Sequence, residues 1–222
     1  FFCVPNCTII TALMAVAPLH RAAGLRSLVL SSYQSASGAG ASGLRELIAQ
    51  VDALHGREVV LGHPEPGDLP VGQVFPRTLA YNVIPQIDVF DPESGSTFEE
   101  IKMEREARRI LSMPELPVTA TCVRVPVAVG HAVSIVATFE RDLAPDDARA
   151  VLREAPGVVV RDDPRAGVYP TPLDVAGRDE VAVGRIRRSA GRRDALALFA
   201  CGDNLRKGAA LNAVQIAERL VG

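Results

Sequence analysis

The chain has 222 residues, enough to bury a sizeable core, and is expected to form a single domain over 1–222. Its 24 basic and 26 acidic residues leave a net charge of -2 without a long basic stripe, which argues against nucleic acid as principal partner and for a small metabolite. Cysteines at 3, 7, 122 and 201 show neither the close pairs of a zinc site nor the density of a disulfide scaffold, so no metal is expected and the setting reads as reducing and cytoplasmic.

The uncharged stretch from Phe1 to Leu19 has no basic leader and is interrupted by Pro5-Asn6, which argues against a signal peptide or membrane span. From Thr8 to about Ala23 the apolar residues Ile9, Leu13, Val16 and Leu19 recur near the helical period and predict a buried helix, which Pro18 is expected to kink or end. Leu25 to Tyr33 reads as a strand, followed by a small-residue loop from Gln34 to Gly43 and a helix from Leu44 to Val51. The Gly- and Pro-rich residues from His55 to about Pro85 read as an excursion outside the hydrophobic core. Ser96-Thr97-Phe98-Glu99 has the form of a capping box, opening a helix that runs to about Ser112 before Pro114.

Two β-rich runs, 118–127 and 132–139, flank a Gly130-His131 turn and predict a strand pair. A helix through Glu154 follows, then strands at 158–160, 181–186 and 196–201, and a turn at Gly202-Asp203-Asn204 into a closing helix from Lys207 to Leu220. This order, without regular βαβ repetition, predicts an α+β fold with a mixed, largely antiparallel sheet and packed helices. No Gly-x-Gly-x-x-Gly follows an opening strand, so the chain offers no dinucleotide-binding unit of its own.

Four positions invite chemistry, two of them as a pair, and each has a plainer alternative. Cys7, in Pro5-Asn6-Cys7-Thr8, sits at a helix start, where the dipole and free N–H groups lower a thiol's pKa; it also suits a buried core cysteine. Arg124, on an apolar strand, needs an anion if it points inward, or simply faces solvent. Glu99 and Lys102 share a helix face as candidate ligands or as an exposed ion pair.

Taken in order, five segments resemble the carboxy-terminal, catalytic and dimerisation domain of aspartate-semialdehyde dehydrogenases, with its glyceraldehyde-phosphate-dehydrogenase-like fold. They are Pro5-Asn6-Cys7-Thr8, Tyr33-Gln34-Ser35-Ala36-Ser37-Gly38, Phe98-Glu99-Glu100-Ile101-Lys102, Arg124 with Gly130-His131, and Gly202 to Ala210; Val4 departs from the family's asparagine. The resemblance implies Cys7 as acyl-accepting nucleophile and His131 as acid and base. It implies Arg124, Glu99 and Gln34 as substrate ligands and Lys102 as phosphate ligand, with Ser37, Gly38 and Asn204 near the cofactor. It further implies reduction of L-aspartyl 4-phosphate with NADPH to L-aspartate 4-semialdehyde and phosphate, in a homodimer or homotetramer. The family's Rossmann NADP-binding domain precedes the cysteine; only its junction, at 1–6, is expected here, and the chain alone is expected to be inactive. An N-acetyl-glutamyl-phosphate reductase-like enzyme and a non-catalytic oligomerisation module are the alternatives.

Overall fold

The computed structural model describes residues 3–221. Helix α1 (Cys7–Ala23) buries Ile9, Leu13, Val16 and Leu19, as the spacing predicts. Pro18 does not end it: the ring is buried and the helix runs on to Gly24, whose N–H bonds the His20 carbonyl. Strand β1 (Leu25–Gln34) then alternates, with Leu28, Leu30, Ser32 and Gln34 buried and Val29 and Tyr33 exposed on the other face.

Helix α2 (Gly40–Leu54) begins four residues before the expected Leu44, because the small residues before it wind into a 3-10 turn (Ala36–Ala39) instead of an open loop. Helix α3 (Phe98–Ile110) is capped one residue later than the sequence suggests. Thr97 is the N-cap, its N–H bonding Glu100 Oε2 at 2.8 Å, and Glu100 Oε1 also accepts from the Cys122 N–H at 2.9 Å. That shift leaves Glu99 outside the box.

The remaining strands are β2 (Val118–Arg124), β3 (His131–Phe139), β4 (Val158–Val160), β5 (Val181–Arg188) and β6 (Ala195–Gly202). They form a six-stranded mixed sheet in the order β2-β1-β3-β6-β5-β4, parallel at β1/β2 and β4/β5 and antiparallel at the three central junctions. The expected pairing of β2 with β3 does not occur, because β1 lies between them. Their connection crosses the end of β1, where the Ala36 and Ser37 N–H groups bond the Val127 and Ala128 carbonyls. His131 is accordingly the first residue of β3 instead of a turn residue.

The core lies between one sheet face and α1, α3 and α4 (Pro145–Arg153), where Ile9, Leu19, Met103, Ile135, Leu152 and Leu196 are fully buried. Each such side chain contributes roughly 1.5–3 kcal/mol. A short α5 (Pro172–Val175) covers part of the other face through Val175. The closing helix starts with a π-turn at Arg206–Ala210 before α6 (Leu211–Val221).

The excursion has its own small core, contrary to the sequence reading: Phe75, Leu79, Ala80 and Ile84 are buried with Leu47 and Leu54 of α2. Two α2 side chains hold it. Glu46 accepts N–H bonds from Gln73, Val74 and Phe75 at 2.7, 2.8 and 3.1 Å, and Gln50 Oε1 accepts from Leu79 and Ala80. Ile84 then bridges the main chain of Arg124 in both directions, joining the excursion to the edge of β2.

Candidate active site

Asn6 organises the start of α1. Its Oδ1 accepts from the Thr8 and Ile9 N–H groups at 2.9 and 3.2 Å, a side-chain N-cap. Its Nδ2 donates to Glu99 Oε1 at 2.8 Å, and its own N–H donates to Glu106 Oε2 at 2.6 Å. Glu99 and Glu106 of α3 therefore grip the residue that precedes the candidate nucleophile.

From Glu99 the contacts continue without a break. Gln34 Nε2 donates to the same Glu99 oxygen at 3.2 Å, and Gln34 lies in register with Arg124 across β1 and β2. Arg124 points inward and is buried: one guanidinium nitrogen donates to the Ser35 carbonyl at 2.8 Å, and its Cζ lies 5.9 Å from the Phe75 ring centroid. Ser35 N–H in turn donates to His131 Nδ1 at 3.1 Å. Four sequence-separated segments thus meet at one end of the sheet.

The charges follow from this packing. The half-buried Cys7 thiol is pushed up, first by burial and then by the Glu99 carboxylate, with Thr8 and Arg124 acting the other way. The expected lowering by the helix start fails because Asn6 already occupies the first N–H groups and carboxylates lie behind it. His131 is held down to about 3 by complete burial and by the nearby Arg124 cation, and burial lowers Arg124 itself. Glu106 is raised by burial and by Glu99.

Glu99 is buried and bonds two neutral amides, so the ion pair with Lys102 is not formed. Lys102 instead pairs with Asp88 at 2.8 Å, half exposed, and that contact raises its pKa. Asp88 and Arg124 both line a cleft of about 520 Å³ walled by Gln73 and Phe75 of the excursion and by Gln86 just after it, with Lys102 held at Asp88.

Ser37 and Asn204 are buried and largely engaged with each other. Asn204 Nδ2 donates to Ser37 Oγ at 3.0 Å, while its Oδ1 accepts from Gly130 N–H at 2.9 Å and Ser35 Oγ at 3.1 Å. Gly38 lies where Arg124 and His131 converge; a Cβ there would fall 2.6 Å from Arg124 Nη1 and 3.1 Å from His131 Nε2. Gly208, in the π-turn, packs on the nucleophile: a Cβ would sit 2.9 Å from that of Cys7.

Sequence reasoning did not single out Ser35, Glu106, Phe75 or Gly208. Ser35 lay within a quoted motif, and Glu106 follows Glu99 by seven residues, which returns it to the same helix face. Gly208 likewise lay within the quoted Gly202–Ala210 segment, and Phe75 left no local signal.

The sequence is 44% identical over 218 residues to the aspartate-semialdehyde dehydrogenase of Bacillus subtilis (strain 168), covering 97% of this chain and 62% of that protein. It is 45% identical to that of Aquifex aeolicus (strain VF5), covering 98% and 61%. The chain therefore spans about 62% of the length of such curated relatives. The crystal structure of aspartate semialdehyde dehydrogenase II complexed with ASA from Vibrio cholerae superimposes with a TM-score of 0.87 at 36% identity, covering 98% of this chain and 61% of that one. Residues 16–207 match the family described as "Semialdehyde dehydrogenase, dimerisation domain". With most of its length inside that match and the same fold as this solved relative, the chain belongs to the semialdehyde dehydrogenase dimerisation-domain family.

Proposed function

We propose that the chain is the catalytic and dimerisation portion of an aspartate-semialdehyde dehydrogenase, reducing L-aspartyl 4-phosphate with NADPH to L-aspartate 4-semialdehyde and phosphate through a Cys7 acyl-enzyme. The observation that carries this reading is the unbroken run of contacts from Asn6, beside Cys7, through Glu99, Gln34, Arg124 and Ser35 to His131. Glu99, a buried carboxylate without a cation, suits the substrate ammonium; Arg124 suits its α-carboxylate, with Gln34 orienting the reacting end. Cys7 attacks the carbonyl carbon, and His131 faces the oxygen that takes up the charge. Lys102 receives the phosphate by exchanging Asp88 for it.

The residues present fit only the reactive end of NADP. The bare α-carbon of Gly38 lets the main chain come close to Arg124 and the His131 ring, whereas the side chains of Ser37 and Asn204 are mostly occupied by one another and shape that wall from behind. Bound there, the cofactor supplies the hydride. Binding of the rest of it is assigned to a separate nucleotide-binding domain, and the chain by itself is expected not to turn over. A second copy is assigned to the sheet face carrying Val29, Tyr33 and Phe199, with assembly as a homodimer or homotetramer in the cytoplasm.

The test is a fusion of this chain to the nucleotide-binding part of the Bacillus subtilis relative, assayed for phosphate-dependent NADP reduction by L-aspartate 4-semialdehyde. Turnover that disappears in Cys7→Ser is expected. A folded fusion that is inactive, or that prefers the N-acetyl-glutamyl substrate, overturns the reading; an N-acetylated amine has no charge to offer Glu99. The raised Cys7 thiol favours the second reading, an oligomerisation module with a relic site.

A further inference from the structure

Arg124 is tied firmly at its main chain and lightly at its side chain. Ile84 N–H donates to the Arg124 carbonyl at 3.0 Å, and Arg124 N–H donates to the Ile84 carbonyl at 2.8 Å. Of the guanidinium N–H groups, one on Nη1 meets an acceptor among the described residues, the Ser35 carbonyl at 2.8 Å. No Arg124 nitrogen is among the buried atoms left without a partner, so the remaining N–H groups open outward, and the opening that Arg124 lines is the 520 Å³ cleft. A side chain of this length turns about several bonds and loses entropy when one orientation is fixed. Something besides a single hydrogen bond has to fix it.

A ring from the excursion backs the guanidinium. Arg124 Cζ lies 5.9 Å from the Phe75 centroid, within the range over which a cation is attracted to the negative face of an aromatic ring. The ring is itself seated. Phe75 is buried in the excursion's own core, its N–H donates to Glu46 Oε1 at 3.1 Å, and its tip rests on Gly43 of α2, where a Cβ would come 3.1 Å from Cζ. Phe75 lines the same cleft as Arg124.

We propose that Phe75 is a positioning residue, its ring holding the Arg124 guanidinium turned so that the N–H groups not taken by Ser35 stand ready in the cleft for a carboxylate. This rests on the role given to Arg124 above. A carboxylate takes two parallel N–H bonds from one edge of a guanidinium, so affinity falls when that edge is free to swing. An aliphatic side chain at 75 fills similar space but offers no charged face to hold the plane. The excursion thus reaches Arg124 twice, at the main chain through Ile84 and at the side chain through Phe75.

Cys7 serves as reporter in the test, because the Arg124 charge already acts on its thiol. L-Asparagine carries the α-carboxylate and α-ammonium of the proposed substrate on a neutral, unreactive side chain. Its protection of Cys7 from iodoacetamide is titrated at neutral pH, each variant being measured against its own unprotected rate. Phe75→Leu is expected to raise the half-protecting concentration several-fold. Pentafluorophenylalanine placed at 75 keeps the ring's shape and inverts the charge on its face, and is expected to do the same if the leucine variant does not fold. Phe75 variants that need no more asparagine than the wild type overturn the proposal. Wild-type protection that is absent, or that Arg124→Gln leaves unchanged, overturns it too. Because this readout needs no turnover, an inactive fusion enzyme with Phe75-dependent protection would sink the proposed activity and leave the positioning role standing. An active fusion whose protection is indifferent to Phe75 would do the reverse.

Discussion

Asn6 donates from Nδ2 to Glu99 Oε1 at 2.8 Å while its Oδ1 caps the helix that begins at Cys7, so one side chain couples the candidate nucleophile to the buried carboxylate behind it. The Glu99 charge opposes thiolate formation, and Glu99→Gln removes it without changing the side chain's shape. The Cys7 midpoint should fall, and alkylation at neutral pH should become several-fold faster. Iodoacetamide rates at Cys7 across pH check this; an unchanged or higher midpoint contradicts it. A bound ammonium ligand should act in the same direction.

Removing the cap itself should cost stability. Asn6→Ala loses two N-terminal bonds of α1 and is expected to destabilise by about 1 kcal/mol, with Asn6→Asp restoring the cap but setting a charge beside Glu99. Urea unfolding of both variants measures the difference, and Asn6→Asp should in addition slow Cys7 alkylation.

His131 ties stability to acid pH. Its folded-state value of about 3 lies below the roughly 6.5 of a free histidine, so the unfolded chain binds its proton first as pH falls. The associated stability is fully present above about pH 6.5 and is lost as pH falls toward 3, on the order of 4 kcal/mol in all. His131→Gln should flatten that part of the profile. Urea midpoints of both proteins at pH 7, 5 and 4 test it, and parallel profiles would refute it.

Gly208→Ala should disturb Cys7 without touching any charged group. The new methyl would sit 2.9 Å from Cys7 Cβ, and Gly208 N–H is held by the Asp203 carbonyl at 3.0 Å, so the π-turn has little room to retreat. Overpacking of this kind costs about 1–3 kcal/mol. Thermal unfolding should fall and Cys7 alkylation change together; a variant matching the wild type in both would show that the contact is soft.

Glu46→Ala should release the excursion and leave the sheet folded. Three main-chain N–H groups lose their acceptor, and burial's upward pull on this carboxyl is at present outweighed by those same bonds. Limited proteolysis should cut between 55 and 85 several-fold faster, with little change in the sheet's circular dichroism signal.

Periodicity made α1 and most strands legible, because burial on one face leaves a pattern that local sequence records. It could not record that β1 inserts between β2 and β3, since strand order depends on where chain ends are carried in space. The capping box shows the limit at finer scale: Ser96/Glu99 and Thr97/Glu100 are equally good by sequence, and the choice of the second is made by the Cys122 N–H, twenty-two residues away, bonding Glu100. Glu99 reaches the site because of that choice. Cys7, Gln34, Arg124 and His131 were found through their motifs, whereas the direction of the Cys7 shift depended on α3 carboxylates that no local window contains.

The excursion's attachment to α2 has an evolutionary corollary. Glu46 and Gln50 hold it by main-chain N–H groups, which every residue except proline supplies, so apart from Phe75, whose ring also packs in the excursion's own core, the side chains facing the Arg124 cleft are not the ones that fasten the wall. Mutations can therefore rewrite that wall while its mooring stays intact. Within this fold, the lining of the cleft is free to drift in the excursion at little cost to the sheet behind it.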